Sequence, residues 1–157
     1  MFDEFGVPGD PDFEYFETLL EMFVYCSRAA QDVDEAEVGR IIESSQRHNA
    51  DRGITGVLTF GSGVFFQWIE GPPAEVQSLI ASLYGDQRHY DIVPLDRGVE
   101  RRERLYEGWE MERVAADDIR TVLREALEST QDEKNVAALQ RILEHLDSGT
   151  LASLGRA

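Results

Sequence analysis

Apolar and polar positions change their period several times along this chain, and each change marks an element. Met22 to Ser27 alternates as a buried strand, with Phe23, Tyr25 and Ser27 on one side and Val24 and Cys26 on the other. Asp34, with Glu37 three residues later, has the form of a capping box. Behind it Val38, Ile41, Ile42 and Ser45 make one helical face, in a helix that should run to about His48 or Asn49. Ile54 to Phe60 and Val64 to Gly71 read as two strands joined by Gly61-Ser62-Gly63. Pro72-Pro73 opens a second helix with a face of Val76, Leu79, Ile80 and Leu83, closed by Gly85. An extended stretch around Tyr90 to Leu95 and a last strand around Leu105 to Glu112 follow.

The resulting order, β-α-β-β-α-β-β, predicts an α+β fold with a ferredoxin-like sheet. Right-handed crossovers put both helices on one sheet face. The other face carries Phe66 and Trp68 and needs cover, which two C-terminal helices can supply. Ile119, Val122, Leu123, Ala126 and Leu127 stripe the first; Val136, Leu139, Leu143 and Leu146 stripe the second. Thr130 to Glu133 reads as a capping box and Gly149 as a stop. Before the first strand, Asp10, Pro11, Phe13, Phe16 and Leu20 fit a short acidic amphipathic helix. Three parts result: an arm over 1–21, a domain over 22–114 and a helical extension over 115–157.

Charge narrows the class of partner. The chain has 157 residues, 31 acidic and 15 basic, for a formal charge of -16. Such a surface repels phosphate backbones and anionic lipids, which argues against nucleic-acid or membrane binding. The cluster Arg97, Arg101, Arg102 and Arg104 is interleaved with Glu100 and Glu103 and reads as a solvated edge. A single cysteine, Cys26, an acidic start and short apolar runs predict a cytoplasmic protein.

Chemistry enters with Gln67, a carboxamide set between Phe65 and Ile69 on one strand face. Burying an amide is costly unless something polar meets it. Tyr25 lies on a strand that this topology can place beside it, and Ser45 and Asn49 continue the apolar stripe of the first helix. Tyrosine, glutamine, serine and asparagine would then converge between helix and sheet. These are neutral hydrogen-bonding groups within apolar walls, which suits a planar heterocycle. They suit hydrolysis poorly, since no strong base stands with them.

Six segments in order resemble the BLUF family of flavin-binding blue-light sensors. They are Phe23 to Arg28, Ser45 to Asn49, Gly53 to Leu58, Phe66 to Gly71, Asp86 to His89 and Trp109 to Met111. The resemblance implies a noncovalent flavin, FAD in the first place, with FMN or riboflavin able to substitute. It makes Tyr25 the photochemical tyrosine, Gln67 the amide that rearranges after light, and Asn49 the holder of the isoalloxazine carbonyl edge. Ser45, Asp86, Arg88 and His89 match positions in or near the flavin and ribityl pocket. His48 stands in the same pocket where many members have a second asparagine. Trp109 and Met111 match the pair on the last strand that relays the glutamine's state, and their spacing puts both on one strand face.

The resemblance thus implies a noncatalytic photoreceptor, with no output enzyme domain after residue 114. Its signal would leave through a homodimer or higher oligomer, or through a separate downstream protein. Two alternatives remain open on the residues: a ferredoxin-like hydrolase using Arg28 and Asn49, and a binding module of the same fold without cofactor. Singly, Tyr25, Gln67, Trp109 and Met111 would each pass for core packing.

Overall fold

The computed structural model describes residues 18–114 and 119–147. Its elements run β1 (Leu19–Ala29), α1 (Glu35–Arg52), β2 (Thr55–Gly61), β3 (Val64–Gly71), α2 (Pro73–Gly85), β4 (His89–Arg101), β5 (Glu110–Arg113), α3 (Ile119–Ser129) and α4 (Glu133–Asp147). The predicted β-α-β-β-α-β-β order and the two following helices are all present. One five-stranded sheet has the order β4-β1-β3-β2-β5. Its first four strands pair antiparallel, and β5 runs parallel to β2.

Side-chain alternation divides the core into two layers. Phe23, Tyr25, Leu58, Phe65, Ile69 and Met111 pack with Val38 of α1 and with Val76 and Ile80 of α2. Met22, Val24, Val57, Phe66 and Trp68 face the other way, against Leu123 of α3 and Leu139, Ile142 and Leu146 of α4. The stripe on α4 is therefore used for docking on the sheet. Its centre lies at Ala138, Leu139 and Ile142, while Val136 and Leu143 are only half-buried.

Local chemistry sets the element ends. Asp34 caps α1 by accepting from the Glu37 amide at 2.9 Å. The helix runs one turn past Asn49 and stops at Gly53, whose φ of 70° is left-handed. Ser62 and Gly63 both have positive φ, the two-residue turn whose twist matches a hairpin. At α4 the cap is Asp132 rather than Thr130, because Asp132 Oδ1 accepts from the Lys134 and Asn135 amides.

Three further expectations change. Leu20 and Glu21, assigned to the acidic arm, belong to β1, where they pair with Glu100 and Val99 of β4. Asp10, Pro11, Phe13, Phe16 and the stop at Gly149 lie outside the described residues. The strand expected over Leu105 to Glu112 shrinks to Glu110–Arg113. Glu70 captures the Leu105 and Tyr106 amides at 3.0 and 2.7 Å, and donors held by a side chain are lost to a strand ladder. The arginine cluster is not uniformly solvated either: Arg102 is 1% exposed and pairs with the fully buried Glu70 at 3.5 Å. No helix among the described residues is long and apolar enough to cross a membrane.

Gly56 is where sheet geometry admits no side chain. A Cβ there would lie 1.8 Å from the Trp68 carbonyl oxygen, and the space beside it is filled by the Met111 methyl. Gly39, on the exposed side of α1, has nothing within 4 Å. Gly56→Ala should therefore cost more than about 3 kcal/mol, whereas Gly39→Ala should stabilise by about 0.5–1 kcal/mol. Urea denaturation of the two variants beside the parent protein checks both signs.

Candidate functional site

Strand register creates the central feature. Tyr25 of β1 sits directly opposite Gln67 of β3, and Leu58 of β2 flanks Gln67 on its other side. All three point toward α1 and α2. The Tyr25 hydroxyl donates to Gln67 Oε1 in a short, buried hydrogen bond. With its oxygen so engaged, the amide keeps its Nε2 donors for other partners. Phe23 stacks on Tyr25 with centroids 5.4 Å apart, and His89 meets it edge-on at 5.9 Å.

A cavity of about 280 Å³ opens between the sheet and the two helices. Its floor includes Tyr25, Leu58, Phe65 and Gln67; its α1 wall includes Ile41, Ser45 and Asn49; its α2 wall includes Leu79 and Leu83. Asn49 is 2% exposed, and its Nδ2 is buried without a hydrogen-bond partner. A buried amide donor left unpaired costs about 1–3 kcal/mol, so a ligand acceptor at this wall would relieve it. Both ends of the slot are bridged by ion pairs to α1, one from α2 and one from the turn after it. Arg52 approaches Glu75 at 3.9 Å at one end, and Arg88 approaches Glu37 at 3.8 Å at the other.

The far end is a fixed polar corner. Arg88 donates to Asp86 through Nε, NH2 and its backbone amide. That contact holds the Asp86 carboxyl below the usual range and raises Arg88. His89 Nε2 donates to the Leu83 carbonyl at 2.7 Å, which leaves Nδ1 to accept from the Ser27 hydroxyl, also at 2.7 Å. Burial, with smaller contributions from Asp86 and Cys26, pushes the Tyr25 phenol well above its ordinary range. It therefore meets any ligand as a neutral hydrogen-bond donor.

Eight residues expected in the site, Tyr25, Ser45, His48, Asn49, Gln67, Asp86, Arg88 and His89, do line this one cavity. His48 does so from an exposed rim position, with its Nδ1 donating to the Ser44 carbonyl at 2.9 Å. Trp109 and Met111 do not share a face. Trp109 precedes β5 in the turn, is 38% exposed and packs on Tyr106 at 5.5 Å. Met111 is fully buried in the layer that holds Tyr25, at a register shift against β2 and with φ of 70°. Simple alternation fails there because the bulge rotates the chain. Neither residue lines the cavity.

Arg28, the cation of the hydrolase alternative, turns away as well: it pairs with Asp91 at 3.7 Å and lies over the Tyr90 ring. Ser27, Arg52 and Ser82 were not foreseen. Ser27 is two residues from Tyr25 on the same strand face, and Arg52 is three from Asn49 on the same helix face. The signal was present in the spacing.

Comparison with known proteins bears on this site. A family model described as BLUF, sensors of blue-light using FAD, matches residues 20–112. The blue light- and temperature-regulated antirepressor BluF of Escherichia coli (strain K12) is 31% identical over 77 residues, 49% of this chain and 19% of that protein. Photoactivated adenylate cyclase subunit beta of Euglena gracilis is 31% identical over 90 residues, 57% of this chain and 10% of that protein. The chain thus spans a fifth or less of the length of these relatives. Among solved structures, BlrB, a BLUF protein in its dark state, superposes with a TM-score of 0.62 at 27% identity, covering 82% of this chain and 97% of that one.

The strand that carries Tyr25 also makes a pH prediction. Burial pushes the Cys26 thiol, on the opposite sheet face, up to about 12, and Tyr25 moves the same way. Both acids are neutral when folded, while the unfolded chain can ionise them from about pH 8.5–10 upward. Their contribution to stability is therefore complete below that range and is lost as pH rises toward the folded values. Urea midpoints measured from pH 7 upward should fall on the alkaline side. Cys26→Ala should flatten the part of the fall that lies between about pH 9 and pH 12.

Proposed function

The chain belongs to the BLUF family of blue-light flavin sensors, and from that premise we propose that it is a photoreceptor binding one FAD between α1 and α2. The observation that carries this reading is the Tyr25–Gln67 hydrogen bond at the floor of a cavity whose wall holds the unpartnered Asn49 Nδ2. A flavin edge presents adjacent carbonyl and ring-nitrogen acceptors, which suits the Asn49 and Gln67 amides. Ser45, His48, Asp86, Arg88 and His89 would hold the remaining rim of the ring and the ribityl chain. The acidic surface sits poorly with a pyrophosphate, so FMN or riboflavin would bind nearly as well as FAD.

A bound flavin supplies the blue absorption band and, once excited, an electron acceptor beside Tyr25. Everything else falls to the chain. Tyr25 enters neutral, with its proton already donated toward Gln67 Oε1. Loss of an electron from Tyr25 to an excited flavin would make its hydroxyl strongly acidic, and Gln67 Oε1 stands where it would take up that proton and hand it back once the tyrosine is reduced again. In between, the amide can invert its donor and acceptor ends, which changes what it offers the ring without breaking the sheet. Met111, buried in the same layer, would be the residue of the last strand that feels this change; Trp109 would act from the outer turn.

The same reading treats the chain as a sensor without enzymatic activity of its own, set in the cytoplasm, with the flavin unit running from β1 at Leu19 to residue 114 and the segments before and after it as appendages. It would signal to a separate protein or through a homodimer. The α4 stripe is occupied by the sheet, so self-association would use the open edge of β4, where Tyr90 and Val99 are exposed. Sedimentation in the dark and under blue light should then show a dimer; a monomer in both states would leave the separate partner.

The purified protein should be yellow, and blue light should shift its flavin band to the red reversibly, without lasting reduction. Tyr25→Phe and Gln67→Leu should each keep the flavin and lose the shift. Asn49→Leu should weaken flavin binding by about 1–3 kcal/mol, the worth of one buried hydrogen bond, read by titration in the dark. A colourless protein that takes up neither FAD, FMN nor riboflavin would exclude this function. A normal photocycle in Tyr25→Phe or Gln67→Leu would remove that residue from it.

A further inference from the structure

The sheet face opposite the cavity carries a buried polar cluster built around Glu70. Glu70 is fully buried on β3, three residues from Gln67 and on the other face of the sheet. Its carboxylate accepts from the Trp68 indole at 3.3 Å and the Thr55 hydroxyl at 3.4 Å, both on the sheet. It also accepts from the Leu105 and Tyr106 amides, both in the segment between β4 and β5. Four donors fill the acceptor sites of a carboxylate, and Arg102 adds its charge at 3.5 Å.

The same segment is held from its other side by α4. Arg102 NH1 donates to Asn135 Oδ1, and Asn135 Nδ2 donates to the Glu103 carbonyl at 2.9 Å. The Glu103 amide donates to Asp132 Oδ2 at 2.9 Å, while Oδ1 of that carboxylate caps α4. Residues 102–106 are thus gripped by β3 and by the first turn of α4 together. Downstream, the Trp109 amide bonds to the Tyr106 carbonyl, Gly56 donates to the Trp109 carbonyl, and the chain enters the bulge that buries Met111.

Energetics favour a geometric purpose for this cluster. A buried ion pair returns little net stability, and well-packed apolar residues of similar volume often do as well. Arg102 NH2 is itself buried with no partner, a cost an optimised core would avoid. What the cluster does supply is a set of directional contacts that fix the connector against β3 and against α4.

We infer that Glu70, Arg102 and Asn135 are positioning residues that lock the 102–106 connector to β3 and to the α4 N-terminus, so that movement of the last strand beside the cavity is delivered to α4. This rests on the blue-light reading above. Light changes the hydrogen bonding of Gln67 on β3; Met111 on β5 lies in the same layer. Displacement of either strand pulls on the connector, and the connector has no slack toward Asp132 and Asn135. The first turn of α4 then moves with the sheet rather than independently of it.

The test uses the full chain loaded with FAD, in the dark and under continuous blue light. Flavin absorption and amide hydrogen exchange over residues 133–140 are read on the same samples. The unmodified chain should show the red shift together with a light-dependent change in exchange over 133–140. Asn135→Leu should keep the red shift at full size and lose the exchange change. Asn135→Gln, which keeps an amide oxygen for Arg102 and an amide donor for the Glu103 carbonyl, should retain it. Should Asn135→Leu fail to fold, Arg102→Met combined with Asn135→Leu removes the unpaired cation and carries the same expectation. An exchange change in these apolar variants equal to that of the unmodified chain overturns the inference, as does a red shift in the unmodified chain with no change over 133–140. A missing red shift in the unmodified chain overturns the function reading itself, and the two failures are thereby told apart.

Discussion

One hydrogen bond, from the Tyr25 hydroxyl to Gln67 Oε1, organises this molecule. It lies between two neighbouring inner strands of the sheet, and both residues are almost fully buried. Neither polar group could be left unpaired there without a cost that a marginally stable domain would feel. The pairing fixes the register of β1 on β3, and that register places Phe23, Phe65 and Ile69 on the α1 and α2 side. The opposite alternation sends Val24, Phe66 and Trp68 to α3 and α4. A polar pair in mid-sheet is thus a structural commitment, and its opening onto a cavity makes it a chemical one.

Charge is arranged around that neutral centre. The chain carries a formal -16, yet the polar groups at the cavity floor are a phenol kept protonated by burial and a carboxamide. The charged residues stand at the ends of the slot, where Arg52 meets Glu75 and Arg88 meets Asp86 and Glu37. On the far face the buried Glu70 and Arg102 pair is separated from the site by the thickness of the sheet. Ionic groups thus hold elements together, while neutral ones are positioned to exchange a hydrogen bond.

Much of this was legible in the sequence because burial follows periodicity. The alternation in Phe65-Phe66-Gln67-Trp68-Ile69 gave both faces of β3, and the stripe through Ser45 and Asn49 found the α1 wall of the cavity. What periodicity did not mark were the buried polar residues Arg102 and Asn135. Arg102 reads in sequence as one of a run of surface arginines, and Asn135 stands outside the apolar stripe of its helix; both are at most 1% exposed. Glu70 alters the backbone of residues 105 and 106, so the last strand starts later than its side chains imply. The positive φ of Met111 then breaks the parity that would have placed Trp109 beside it. These misses come from contacts between residues far apart in the chain, side chain to side chain at Arg102 and side chain to backbone at Glu70 and Asn135, and from a bulge at Met111.

The claim that the Gln67 amide is the switching element is tested most directly by infrared light-minus-dark difference spectra of the flavin-loaded protein, with and without isotope labels on the glutamine side-chain amides. The account predicts a label-sensitive carboxamide band that shifts on illumination, returns in the dark with the flavin band, and is missing from Gln67→Leu. A full-sized flavin shift with no label-sensitive glutamine band would contradict it, and would assign the photochemical change to groups other than this amide.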